Sequence, residues 1–166
     1  MYQLVRVHDV DWLTWEAKER AVICFLLRKS EILLINKKRG LGAGKVNGPG
    51  GKCEPGETLA EAAIRETEEE VGLRPRSVEA RGTLHFQFLD GYSLDVALFL
   101  SREYDGELVE TAEADPFWVS RDEIPFDRMW ADDALWLPEL LRGKSVTGRF
   151  LFDEDRMVDY ALRFQE

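Results

Sequence analysis

Residues 51–73 read GKCEPGETLAEAAIRETEEEVGL, a glycine-bearing loop feeding a helix dense in carboxylates. Thr58 followed three residues on by Glu61 is a capping box, so the helix is expected to begin near Leu59, and Gly72 supplies the left-handed residue that ends it. At roughly 100° per residue, Ala60, Ala63, Ile64, Thr67 and Val71 share one face, assigned to the core, and Glu66, Glu69 and Glu70 share the next. Carboxylates three and four apart repel by a few tenths of a kcal/mol per pair, and these also lie toward the negative end of the helix. Such a face is uphill without a cation. All-oxygen donors suit a hard divalent ion, Mg²⁺ with Mn²⁺ as a substitute, better than zinc, which wants His or Cys. Arg65 stands four residues after Glu61 and four before Glu69, so it is expected to orient the row of acids.

A chain of 166 residues is read as one domain, 1–166, long enough to bury roughly 70 per cent of its unfolded surface. The net charge of −10 argues against a long groove for DNA or RNA, which would show a basic stripe. It is compatible with a small, metal-bridged phosphate substrate. Cys24 and Cys53 have no paired framework, and the N-terminus lacks the basic start and apolar centre of a signal peptide. A cytoplasmic protein with reduced thiols and no membrane span is therefore expected.

The arm at residues 1–19 carries Trp12 and Trp15 with alternating Leu4, Val5 and Val7, and reads as an edge strand or arm packed on the domain. The alternative is a homodimer contact; otherwise the chain is a monomer. Residues 21–27 and 32–35 read as strands around a polar turn. The loop at 36–52 is basic and glycine-rich but fits no Walker sequence. Strands are expected at 78–82, 84–89 and 94–100, with a turn at Asp90-Gly91, and again at 117–119. In the second of these His85 alternates with Phe86 and Phe88, as a sheet-surface residue does. Residues 107–115 are an acidic loop, 134–141 a helix ended by Gly143, and 146–152 with 157–164 a terminal hairpin. Together these elements make a mixed sheet with helices.

The spacing of the opening stretch narrows this further. Gly51, Glu57, then Arg65-Glu66-x-x-Glu69-Glu70-x-Gly72-Leu73 resembles the signature of the Nudix hydrolases, metal-dependent enzymes that cleave nucleoside diphosphates linked to another group. The resemblance implies an α/β (α+β) Nudix fold, a mixed β-sheet sandwiched between helices. It departs only at Thr67, where the family usually has an aliphatic residue. In that family the glycine matching Gly51 lends its carbonyl to the metal beside Glu66, Glu69 and Glu70. Glu69 or the loop acid Glu113, itself a candidate ligand, serves as base, with Arg65 beside them.

Outside the motif, Lys37-Lys38-Arg39-Gly40, Gly42-Ala43-Gly44, Asn47-Gly48, Ile124-Pro125-Phe126, Met129-Trp130 and Asp132-Asp133 are similar to the MutT-like branch, over about residues 21–164. That similarity implies hydrolysis of oxidised purine nucleoside triphosphates, such as 8-oxo-dGTP and 2-hydroxy-dATP, to monophosphate plus pyrophosphate: nucleotide-pool sanitation in the service of DNA repair. It also implies a purine pocket of Asn47, Trp130, Asp132 and Asp133, with Phe86 as a further substrate contact and Lys37 and Lys52 on the phosphates. Trp offers a flat stacking face, and Asn both a donor and an acceptor. Two adjacent aspartates in a closed pocket repel, so one can hold a proton and the pair can present a donor and an acceptor. The competing reading is that Asp132-Asp133 caps the helix that follows. Val46 and Leu41 stand where that branch has Trp and Phe, which implies a looser pocket. The alternatives for the whole chain are a Nudix hydrolase of normal dNTPs, dinucleoside polyphosphates or RNA 5′ ends, and a nucleotide sensor without catalysis.

Overall fold

The computed structural model describes residues 6–166, so Leu4 and Val5 of the arm lie outside the described residues. In chain order the strands are β1 (Glu19–Arg28), β2 (Glu31–Lys37), β3 (Val46–Asn47), β4 (Gly50–Lys52), β5 (Leu73–Pro75), β6 (Glu79–Phe88), β7 (Ser93–Ser101), β8 (Tyr104–Gly106), β9 (Ala114–Ser120), β10 (Ser145–Asp153) and β11 (Arg156–Gln165). The helices are α1 (Leu59–Val71) and α2 (Asp133–Leu141). The main sheet runs β11-β10-β6-β7-β1-β2-β3, with β4 paired to β1 and β9 to β2. It is mixed: β1 lies parallel to β7 and β10 parallel to β6. β5 and β8 form a separate two-stranded ribbon.

The continuous apolar run of β1 is explained by burial on both faces. Phe25 and Leu27 enter one core with Trp136, Leu137 and Leu140 of α2, whereas Val22, Cys24 and Leu26 enter another with Ala62, Ala63 and Val71 of α1. The two helices thus sandwich the sheet, as expected. Among the described residues no helix is long and apolar enough to cross a membrane.

Several sequence expectations are corrected. Ala62, not Ala60 or Ile64, is fully buried, so the inner face of α1 is rotated toward Ala62, Ala63, Thr67 and Val71, and Glu70 is buried with it. Thr67 is tolerated there because its hydroxyl donates to the Ala63 carbonyl at 2.7 Å. The two strands expected at 78–82 and 84–89 are one strand, β6, whose register shifts between Ala80 and Gly82. Gly82 has φ of 128°, and a Cβ there would lie 1.8 Å from the Val146 carbonyl oxygen, so the close pairing with β10 requires glycine. The strand expected at 117–119 begins earlier, at Ala114, because β9 pairs along the whole of β2.

The described part of the arm is not an edge strand. It forms a short 3₁₀ turn at Val7–Asp9 and crosses the face of the sheet that carries His85 and Gln87. The Val7 amide donates to Asp159 Oδ2 at 2.8 Å, and the Trp15 indole donates to Gln87 Oε1 at 2.9 Å. Trp15 meets the His85 ring edge-on at 5.1 Å, and Arg149 lies 5.2 Å over Trp12. His85 is therefore a sheet residue under an aromatic cover, and its burial pulls its pKa down. Trp15→Ala is expected to lower folding stability by about 1–2 kcal/mol, in a urea titration, through the lost ring contact and hydrogen bond. Its turnover should be that of the wild type, because none of these contacts reaches the cavity described next.

Candidate active site

α1 begins and ends where its caps require. The Thr58 hydroxyl accepts from the Glu61 amide at 3.1 Å and the Glu61 carboxylate accepts from the Thr58 amide at 2.9 Å, while Gly72 takes φ of 84°. These caps fix where the helix that carries the acidic face starts and stops. Arg65 sits at the centre of that face, but not with Glu61, which the capping box occupies. The guanidinium instead donates to Glu57 (2.5 and 2.8 Å), Glu66 (2.8 Å), Glu69 (3.1 Å) and the Lys52 carbonyl (3.1 Å). Glu57, eight residues earlier in the loop, is the partner the helical spacing could not reveal; Arg65 holds its pKa down to about 2. The same cluster of carboxylates pushes Arg65 upward.

The acids differ in solvation. Glu66 is half-buried and its pKa is raised chiefly by burial, with Arg65 opposing. Glu70 is buried and is raised to about 7, again by burial first, although the Gly50 amide donates to its Oε1 at 3.2 Å and the Lys37 charge opposes the rise. Glu69 reaches the surface. Among the described residues no three acid, histidine or cysteine side chains converge on an ion-sized point, because Arg65 draws Glu66 and Glu69 to itself. The residues nonetheless fit a hard divalent ion. The donors are all oxygens, and Gly51 lies so close to Glu66 that a Cβ would stand 2.2 Å from its Oε2, so the Gly51 backbone and the carboxylate share one small space that only glycine leaves open.

One cavity of about 610 Å³ receives nearly all the residues singled out from the sequence: Gly51, Glu66, Glu69 and Glu70, Glu113 and Lys37, Lys52, Asn47, Phe86, Trp130, Asp132 and Asp133. Arg65 stands behind it. The acids of α1 and the aromatic and amide groups thus share a single space, with Leu41 on its lining as the resemblance implies and Tyr92, Leu94 and Val96 as lining residues that sequence reasoning did not assign to it. Lys52 is not free: it pairs with Glu19 at 2.5 Å, which raises its pKa. Glu113 lies 3.7 Å from the Arg39 guanidinium.

The Trp130 ring is set on edge against Phe88 (6.2 Å) and Phe152 (5.5 Å). Gly42, with φ of 83°, presses on its far side, a Cβ there coming 2.8 Å from the indole nitrogen. The Asn47 carbonyl oxygen accepts from the Gly48 amide at 2.8 Å, and the residue lines the cavity. Asp132 and Asp133 are 1% and 4% exposed. Asp132 Oδ2 accepts from the Trp136 indole at 2.8 Å, but Asp132 Oδ1 and Asp133 Oδ2 are buried without a partner among the described residues. Neither caps α2: the N-cap position, Asp132, makes no capping bond, so the capping reading does not hold. Burial raises Asp132 to about 6, and burial plus the neighbouring Asp132 charge raises Asp133 well above the usual carboxylate range.

Comparison with known proteins gives the following. A family model described as the NUDIX domain matches residues 17–140. The oxidized purine nucleoside triphosphate hydrolase of Danio rerio is 42% identical over 142 residues, covering 84% of this chain and 91% of that one. Its counterpart from Mus musculus is 40% identical over 143 residues, 85% of this chain and 92% of that one. The crystal structure of a mutator MutT protein from Bacillus halodurans superposes with a TM-score of 0.78 at 27% identity, over 87% of this chain and 97% of the other.

Proposed function

Since the chain belongs to the Nudix family and is a hydrolase of that family, we propose that it hydrolyses oxidised purine nucleoside triphosphates to monophosphate and pyrophosphate, and so cleanses the nucleotide pool. The observation that carries this reading is that one cavity joins the acidic face of α1 to Asn47, Trp130, Asp132 and Asp133. A triphosphate and a purine need both ends at once. The relatives from Danio rerio and Mus musculus, named for that activity, match 84% and 85% of this chain.

At the purine end, Trp130 supplies a face for stacking. The Asn47 amino group donates, and the partnerless oxygens of Asp132 and Asp133 read the edge of the base, one as a carboxyl donor and one as an acceptor. Because the pair shares few protons and can exchange which oxygen carries one, more than one purine tautomer is served. Val46 is fully buried in the core rather than facing the base, and Leu41 forms the mouth of the cavity.

At the phosphate end, Nudix hydrolases use divalent metal ions, and we propose Mg²⁺, with Mn²⁺ in its place, held by Glu66, Glu69, Glu70 and the Gly51 carbonyl; when bound it neutralises phosphate charge and acidifies water. Lys37 and Lys52 steady the phosphate oxygens, Lys52 exchanging Glu19 for them. A water oxygen attacks phosphorus, the bridging P–O bond breaks toward pyrophosphate, and a carboxylate takes the water's proton. Glu113 suits that last task better than Glu69. Glu69 accepts a hydrogen bond from Arg65 at 3.1 Å, whereas Glu113 has its nearest cation at 3.7 Å, beyond hydrogen-bond reach.

The proposed unit is a monomer of one domain, 1–166, acting on small nucleotides in the cytoplasm. β10 and β11, beyond the matched residues, complete the same sheet; the arm packs on its own domain; and both cysteines are free. The test is kcat/KM with Mg²⁺ for 8-oxo-dGTP, 2-hydroxy-dATP, dGTP, dATP and diadenosine tetraphosphate, with products identified. Oxidised purines are expected to exceed their normal counterparts by about tenfold or more, the worth of one or two hydrogen bonds. Flat rates across the panel, or preference for the dinucleotide, would remove the base-reading role from Asn47, Asp132 and Asp133.

A further inference from the structure

The segment that carries Glu113 is tied to its surroundings at many points. The last carbonyls of a helix have no partner within it. Here two of those at the end of α1 are served by the loop at 107–113. The Val109 amide donates to the Val71 carbonyl at 2.9 Å, and the Thr111 hydroxyl donates to the Glu70 carbonyl at 2.8 Å. The same Thr111 oxygen accepts from the Glu113 amide at 3.3 Å and the Ala114 amide at 3.2 Å. From the other side, the Lys38 amide donates to the Glu113 carbonyl at 3.0 Å, Lys38 Nζ to the Thr111 carbonyl at 2.8 Å and the Arg39 guanidinium to the Ala112 carbonyl at 3.0 Å. The loop is pinned between the end of β2 and the end of α1.

Among the described residues, the Thr111 side chain hydrogen-bonds both to the helix and to the residue Glu113. We propose that Thr111 is a positioning residue, whose hydroxyl joins the backbone of Glu70 to the backbone of Glu113 and so fixes the separation between the acids on α1 and the acid on the loop. The inference rests on the reading of Glu113 as the proton acceptor. A hydroxyl does this work because it donates and accepts together. Arg39 and Lys38 hold the loop against β2, and Val109 ties its start to the end of α1, but it is the Thr111 side chain that links the helix carrying Glu66, Glu69 and Glu70 to the backbone of Glu113 itself. In a reaction at phosphorus, a displacement of the proton acceptor by a fraction of an ångström to one ångström is read in kcat, not in substrate affinity.

The experiment uses the full-length protein with Thr111→Ala, Thr111→Ser and Glu113→Gln. For Thr111→Ala, kcat is expected to fall by about tenfold or more with KM within about threefold of wild type, the pattern of an interaction needed in the transition state alone. Hydrogen exchange should quicken at the Glu113 and Ala114 amides, which lose their acceptor, in the protein without any metal or substrate. Thr111→Ser keeps the hydroxyl and should restore both the rate and the protection. A Thr111→Ala enzyme within about twofold of the wild-type kcat, a loss that serine does not repair, or unchanged exchange at those two amides would each overturn the proposal. A slow Glu113→Gln beside a fast Thr111→Ala removes Thr111 alone; a wild-type rate for Glu113→Gln removes the proton-acceptor reading and the inference with it.

Discussion

Glu69→Gln lowers kcat by about two powers of ten or more and leaves the folded protein intact, a loss on the scale of removing one preorganised electrostatic group from a reacting phosphate. Both halves of that expectation come from where the residue sits. Glu69 faces the cavity from the exposed side of α1, and its side chain is 59% exposed, with Arg65 as its hydrogen-bond donor. Glutamine has the same length, and its carbonyl oxygen still accepts from Arg65, so neither the helix nor the guanidinium loses a partner. What disappears is a unit of negative charge that a divalent ion would need. Measurement of kcat alongside a thermal melt separates the two. A near-wild-type rate would take Glu69 out of the phosphate end of the site, and a collapsed melt would show that its place is structural.

The second large effect concerns stability and pH. A carboxyl whose pKa is higher in the folded chain than in the unfolded one binds more protons when folded, so its stabilising contribution is complete below the unfolded value and is lost as pH rises. Asp132 is raised from the ordinary 3.8 to about 6 by burial. Folding stability is therefore expected to decline between about pH 4 and pH 6 on its account, by about 3 kcal/mol in all. Asp133, raised further by burial and by its neighbour, continues the decline at higher pH.

Asp132→Asn removes the titrating group while its carbonyl still accepts from the Trp136 indole. Urea midpoints from pH 4 to 8 should show the variant and the wild type alike in acid and the variant the more stable at pH 8. Taking the difference between the two proteins cancels the opposite slope that Glu57 contributes at low pH. Parallel curves would refute the account of the pair. A cost of this size, borne by two side chains with unpaired oxygens inside a cavity, is what a binding site bears and a core does not.

The parts of this molecule that were legible in the sequence are those whose causes are local. α1 was bounded to the residue because a capping box and a glycine with positive φ are spaced along the chain itself. The hairpin β10–β11 and the turn at Asp90-Gly91 were legible for the same reason. The short strands β3 and β4 were not, because Val46-Asn47 and Gly50-Gly51-Lys52 have no strand-like composition and are extended only through pairing with β2 and β1. Gly82 read as a break where it serves as a bulge, since its reason is the Val146 carbonyl 64 positions away. In the site, the residue types were legible and their partners only in part. Helical spacing pairs Arg65 with Glu69 and Glu61; the first bond is made, but Glu61 is held by the capping box and the loop brings Glu57 in its place. The resemblance sets Lys52 on the phosphates, and the sequence does not show that the start of β1 brings Glu19 to it. Ala62 replaced Ala60 on the inner face because the sheet, not the helix, decides how far α1 is rolled.

The parallel pairing of β10 with β6 has a consequence for how the molecule is made. Val146 to Phe152 register with Gly82 to Phe88, and Phe150 and Phe152 stand behind Phe86 and Trp130 as their packing. During synthesis α1 is complete once Val71 has been added, but the rings that back Phe86 and Trp130 await Phe150 and Phe152. Pairings of such long sequence separation form late, after the loop-closure entropy has been met. A nascent chain therefore carries the carboxylates of α1 before Phe86 and Trp130 have the rings that back them.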